Sequence, residues 1–113
     1  MLPGSQRLRL QQDFDTLRRT GTRYHQPALS LVTASDAAQR SLAGFIVSKK
    51  ISPRAVQRNR VKRRLRAAYH LLQPRPSSGQ LLLFIARPAL QTLSYQALLL
   101  QMQILLKKAR VLN

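Results

Sequence analysis

The chain reads as an α+β fold, an α/β sandwich with helices packed on one central sheet. Three observations predict it. Strand-like residues at 42–48, helical periodicity at 53–72 and a strand-like run at 80–87 follow one another as a strand–helix–strand unit. The run at 80–87, QLLLFIAR, is almost uniformly apolar. That suits a strand covered on both faces, as in a parallel pair. Helical periodicity recurs on either side of the unit, before residue 21 and after residue 94.

The elements follow in order. Residues 1–10 are expected to form a loose arm. Leu10, Phe14 and Leu17 repeat at i, i+4, i+7, an amphipathic helix with Asp13 and Asp15 near its positive end. Gly21 is placed to cap its C-terminus. Residues 23–34, RYHQPALSLVTA, alternate well enough for one or two strands, with Pro27 breaking the ladder or sitting at an edge. A loop at 35–40 leads to LAGFIVS, the strand at 42–48. Ser52 and Pro53 suit the N-cap and first turn of a helix from Pro53 to Leu72. QPRPSSG at 73–79 ends it. After the strand at 80–87, Ser94 caps a last helix running to Lys108. Its apolar residues occupy more than one face.

Charge decides the class of partner. In 113 residues, 20 Lys and Arg face three acids, for a formal net charge of +17. Apolar residues make up 44%, enough for one domain with a modest core, here residues 1–113. Self-repulsion at that charge destabilises the free compact state, and a polyanion relieves it. Nucleic acid is the leading partner and an anionic membrane surface a distant second. The absence of cysteine removes disulfides and thiolate metal sites. No signal-like or membrane-length apolar run is present, so the expected location is the cytoplasm, with no membrane; no protein partner is predicted.

Residues 49–66 hold nine Lys or Arg and no acid. At about 100° per residue, Val61, Leu65, Ala68 and Leu72 form one stripe that faces the sheet. Asn59, Arg63, Arg66 and His70 lie opposite, with Arg58, Arg60, Lys62 and Arg64 on the flanks. A solvated charged face normally mixes signs so that i, i+4 pairs form. Here there is nothing to pair with, so the outer surface reads as phosphate-binding. A localisation tag would lack the core stripe.

The segment SKK…RNRVKRRLR resembles the protein subunit of bacterial ribonuclease P, and the likeness extends over nearly the whole chain. RLR…DF with Gly21 is similar to that family's first helix, and GFIVSKK to its third strand. RNRVKR matches its most specific motif, and FIAR and LSYQAL its last strand and last helix. The resemblance implies the order αβββαβα, with a left-handed strand–helix–strand crossover. It implies an endoribonuclease subunit that assists removal of the 5′ leader from precursor transfer RNA. In that family the RNA subunit is the catalyst, and Mg2+ is bound by RNA and substrate. The implied partners are that catalytic RNA and the 5′ leader of precursor transfer RNA. The implied RNA-binding residues are Lys49, Lys50, Arg54, Arg58, Asn59, Arg60, Lys62, Arg63 and Arg66. The implied leader cleft, between the sheet and the first and second helices, involves Phe14, Arg18 and Val32. Arg18 and Val32 stand where the family often carries aromatics. Arg18 can replace stacking by a phosphate contact or a guanidinium stack.

The residues supply no catalytic constellation of their own. His25 and His70 have no cysteine or nearby carboxylate in the sequence, and three Asp do not make a two-metal site. No catalytic and no metal-binding residue is therefore expected. Tyr24, Tyr69, Tyr95, Phe45 and Phe84 read as core or rim, with any one tyrosine available to stack on RNA. Two other classes share the charge logic. A small ribosomal protein would scatter its basic residues over loops and tails. A helix-in-groove DNA binder would place a second helix and tight turn before the basic one. The convergence on one helix with an Arg-Asn-Arg motif favours the ribozyme subunit.

Overall fold

The computed structural model describes residues 11–36, 42–72 and 79–110. The expected arm at 1–10, most of the loop at 35–40 and most of the turn at 73–79 lie outside them. The elements run α1 (Gln11–Thr20), β1 (Thr22–His25), β2 (Leu29–Ser35), β3 (Leu42–Ile46), α2 (Ala55–His70), β4 (Gln80–Ala86) and α3 (Tyr95–Lys108). A 3-10 turn, Pro88–Thr92, separates β4 from α3. This is the αβββαβα order. The sheet order is β1-β2-β4-β3. β1 and β4 each pair antiparallel with β2, and β3 pairs parallel with β4 across the α2 connection.

Strand β4 is an inner strand, and its apolar run is used on both sides. Leu82, Phe84 and Ala86 face one core, together with Leu29 and Leu31 of β2 and Ala43 of β3. Helices α2 and α3 cover that face with Leu65, Ala68, Tyr69 and Leu72, and with Leu98, Met102, Leu105 and Leu106. Leu81 and Leu83 face the other way, with Val32, Ala34 and Leu42, beneath Leu17 of α1. The result is three layers, α1 over one face and α2 with α3 over the other. Phe45, Tyr69 and Phe84 lock strand to helix, with ring centroids 5.7–5.8 Å apart.

Pro27 divides residues 22–35 into two strands. It sits in a tight turn closed by Gln26 N–H to the Leu29 carbonyl at 2.8 Å and Leu29 N–H to the Gln26 carbonyl at 3.3 Å. Gln101 of α3 accepts from Ala28 N–H at 3.2 Å and ties this turn to the last helix. Ser94 caps α3 as expected, its Oγ accepting from Ala97 N–H at 3.1 Å.

Two local expectations need correction. Helix α2 begins at Ala55, later than Pro53, and its N-cap is Arg54 in extended conformation with no side-chain cap bond. The Ser52 hydroxyl accepts from Arg54 N–H at 3.2 Å, so it serves the turn ahead of the helix. The helix ends at His70, with Leu72 beyond its C-cap yet fully buried.

Gly21 does close α1, donating to the Leu17 carbonyl at 2.9 Å. Its φ, however, is not in the left-handed region. Glycine is required by space, because a Cβ there would meet Val32 Cγ1 at 2.6 Å and the Leu17 carbonyl oxygen still closer. Gly21→Ala should therefore lift α1 from the sheet and destabilise the fold by about 1–3 kcal/mol, as overpacking does. Urea unfolding measures it, and a midpoint equal to the parent's would rule out the close approach.

Candidate nucleic-acid interface

Helix α2 turns Leu65, Ala68 and Tyr69 inward, while Val61 of the expected stripe is only half-buried against the core. The rest of its surface is cationic. Asn59, Arg60 and Arg63 are exposed, and Arg58, Lys62 and Arg66 are half-buried. Lys49 and Lys50, both exposed, lie in the turn between β3 and α2, where Lys50 N–H donates to Ser48 Oγ at 3.2 Å. Exposed Arg54 caps the helix. The first turn of α2 holds no acid, so the positive end of its dipole is not offset by a side chain. Among the described residues, the side chains of Lys49, Lys50, Arg54, Arg60, Lys62, Arg63 and Arg66 make no ion pair or hydrogen bond. Their mutual repulsion is uncompensated within the fold, and a bound polyanion would relieve it.

Two arginines do structural work beside this face. Arg58 Nη1 donates to the Ser52 carbonyl at 3.0 Å and holds the turn before α2. Arg64 Nη1 donates to the Leu90 carbonyl at 3.1 Å, and its Nη2 donates to the Leu93 carbonyl. Arg64 thus fastens α2 to the 3-10 turn, which a count of charges along the sequence does not reveal.

The second expected surface, the cleft, is rearranged. Helices α1 and α2 cover opposite faces of the sheet, so α2 is not one of its walls. The open surface lies on the α1 side. Val32 is only 4% exposed, buried with Leu17 and next to Gly21, so its side chain is closed off from the open surface. Phe14 is half-buried at the edge of the same cluster. Arg18 is exposed and pairs with Asp15 at 3.6 Å.

Strand register identifies what the open part of this face presents. His25 pairs with Ser30, Ser30 with Ile85, and Ile46 with Ile85, a row running across all four strands. Paired residues share a face, and residues two apart along a strand share it too. The row therefore lies on the Val32 side, beyond the part that Leu17 covers. Ile46 is 38% exposed, Ile85 half-buried and His25 exposed, its Nδ1 2.9 Å from Ser30 Oγ. Arg23, opposite Val32, is also exposed on this side. Ile46, Ile85, Arg23 and His25 were not singled out from sequence as cleft residues. The alternation of Arg23 and His25 along β1 carried the signal, but their neighbours come from strands far away in the chain. Past Ile46, β3 leads within a few residues to Lys49 and Lys50, joining the cleft's edge to the basic helix.

Asp13 and Asp36 are buried, near one another at the start of α1 and the end of β2, where Gln12, Thr16, Arg19 and Ser35 also converge. Asp15 points elsewhere, accepting from Gln11 Nε2 at 3.1 Å. Among the described residues no three His, Asp or Glu side chains gather as a metal site would need.

Residues 2–110 match the sequence model of the ribonuclease P family. The chain is similar to the ribonuclease P protein component of Microcystis aeruginosa, with 37% identity over 116 residues that cover 99% of this chain and 97% of the relative. It is also similar to the component of Roseiflexus castenholzii, with 38% identity over 108 residues that cover 95% of this chain and 88% of the relative. In fold it is similar to the solved structure of the Staphylococcus aureus ribonuclease P protein, with TM-score 0.80, 23% identity, and coverage of 95% of this chain and 97% of that one. The Thermotoga maritima protein superposes with TM-score 0.79 at 22% identity, covering 91% and 96%.

Proposed function

This chain belongs to the ribonuclease P protein family, and on that premise we propose that α2 binds the catalytic RNA while the open α1-side face takes the 5′ leader of precursor transfer RNA. As a subunit of ribonuclease P it takes part in maturation of transfer RNA 5′ ends. The single observation that carries the RNA-binding assignment is the cationic surface of α2 around its Arg58-Asn59-Arg60 motif, with Arg60, Lys62, Arg63 and Arg66 unpaired among the described residues. Arg60, Lys62, Arg63 and Arg66, with Lys49, Lys50 and Arg54 at the head of the helix, contact phosphates and so fix the position of the RNA. Asn59, exposed among them, donates and accepts hydrogen bonds at sugar or base edges. Arg58 adds charge and holds the turn that presents Arg54.

The leader is single-stranded, so its bases are free to meet an apolar floor while its phosphates meet cations. Ile46, Ile85 and the rim residue Phe14 offer that floor. Arg18, Arg23 and His25 stand around it as polar contacts. Val32 supports the floor from below and makes no leader contact in this reading. Mg2+ held by the RNA subunit and the substrate supplies the hydrolytic chemistry when bound, and the expected place of work is the cytoplasm. This chain's residues bind, orient and neutralise charge.

The test uses the holoenzyme reconstituted with its RNA subunit. Arg18→Ala and Arg23→Ala should each weaken binding of leader-bearing precursor about fivefold, as loss of one solvent-exposed contact worth about 1 kcal/mol does. Leaderless transfer RNA should bind as to the parent. Equal losses on both substrates would place these arginines outside the leader path.

A further inference from the structure

A cavity of about 520 Å3 lies where residues 51–54, the first turns of α2 and the 3-10 turn meet. That is the size range of small-ligand sites. Its lining is mixed. Ile51, Pro53 and Val61 supply apolar surface. Arg54 and Arg60 bring two guanidinium groups with no intramolecular partner among the described residues. Gln57 is half-buried, and its amide likewise has no hydrogen-bond partner among them. Gln91 donates through Nε2 to the Ile51 carbonyl, which leaves its Oε1 able to accept. The walls are fixed to one another. Arg64 joins α2 to the 3-10 turn, Gln91 joins that turn to Ile51, and Arg58 holds the Ser52 carbonyl.

Each part of this lining answers a part of one nucleotide. Cations suit the phosphate, and apolar surface with guanidinium planes suits the base face. Amides that both donate and accept suit the hydrogen-bonding edge of a base. A duplex backbone passing over the helix would use the cations alone and leave the amides and the apolar wall idle. We propose that this cavity receives one unpaired nucleotide of the partner RNA, its phosphate on Arg54 and Arg60 and its base edge on Gln57 and Gln91. The proposal rests on the reading of α2 as the RNA-binding helix. It adds an enclosed point of base recognition to a surface whose other contacts, Asn59 apart, go to the phosphates.

The experiment compares Gln57→Leu and Arg60→Gln in the full chain, with affinity for the partner RNA measured across a salt series. Gln57→Leu keeps charge and helix propensity. It should weaken binding about tenfold, the loss of one good amide–base contact, with the salt slope unchanged. Arg60→Gln should flatten the slope by about 0.7–0.9. Parent affinity in Gln57→Leu beside a flattened slope in Arg60→Gln overturns the nucleotide site and leaves the α2 reading standing. A parent slope in Arg60→Gln overturns both. Should circular dichroism show that Gln57→Leu misfolds, Gln57→Ala makes the same comparison. As a direct probe, the side-chain amide signals of Gln57 and Gln91 are followed by NMR while each nucleoside 5′-monophosphate, or inorganic phosphate, is added to the full chain. Shifts with a nucleotide that phosphate does not reproduce support the proposal. The same shifts with phosphate alone, or none with any nucleotide, overturn it.

Discussion

Replacing Arg63 and Arg66 together by Gln should flatten the dependence of log RNA affinity on log salt by about 1–2 units. The two cations lie on the outer surface of α2, one exposed and one half-buried, and neither has an intramolecular partner among the described residues. On binding, each would displace counterions condensed on the RNA, contributing roughly 0.7–0.9 to the slope. Glutamine retains good helix propensity, and Leu65, Ala68 and Tyr69 on the buried side are untouched. The variant should therefore fold, with stability equal to the parent's or higher as like charges are removed. Arg64→Gln is the control. Its guanidinium is committed to the Leu90 and Leu93 carbonyls, so it should lower thermal stability and leave the slope unchanged. A double variant that folds and keeps the parent slope would make this surface a solvated one.

The second large expected effect is all-or-none. RNA-free protein should not cut precursor transfer RNA at any magnesium concentration, whereas the holoenzyme should. The arrangement of side chains gives the reason. The His25–Ser30 contact of 2.9 Å has the spacing of a base and its nucleophile, but Ser30 is only 5% exposed. No carboxylate of the described residues is paired with His25 to orient it, as such dyads need. Asp13 and Asp36 are buried on the α1 side and offer no open two-metal centre. With holoenzyme in saturating excess, so that loss of a leader contact does not enter, His25→Asn should then keep the single-turnover cleavage rate within about threefold of the parent, far from the loss of a general base, typically 10²–10⁴-fold. A site-specific, metal-dependent cut by RNA-free protein would sink this view.

Much of the fold was legible because its signals are local. The apolar run of β4 announced a strand buried on both faces, and Ser94 announced the start of α3. Pro27 marked the break between β1 and β2. The basic outer surface of α2 was legible for the same reason, since helical periodicity assigns each residue a side. Its start was not, because Ser52-Pro53 has the composition of a cap while the serine hydroxyl serves the preceding turn. The role of Arg64 was equally out of reach, as its acceptors lie 26 and 29 residues further along the chain.

The cleft shows where local signals end. Phe14, Arg18 and Val32 are close in pattern, yet one is half-buried, one exposed and one sealed beneath α1. Sequence alone determined that this chain is a basic sandwich with one cationic helix, because composition and periodicity are properties of neighbouring residues. Only the tertiary structure decided which side of the sheet each helix covers, and so which residues stay open. A strand's alternation divides its side chains into two sets but does not say which set a distant helix will bury. That choice was made by packing: α1 closes over Val32 through the space left at Gly21, while α2 and α3 take the opposite face. Ile46, Ile85, Arg23 and His25 remain together at the surface as a consequence.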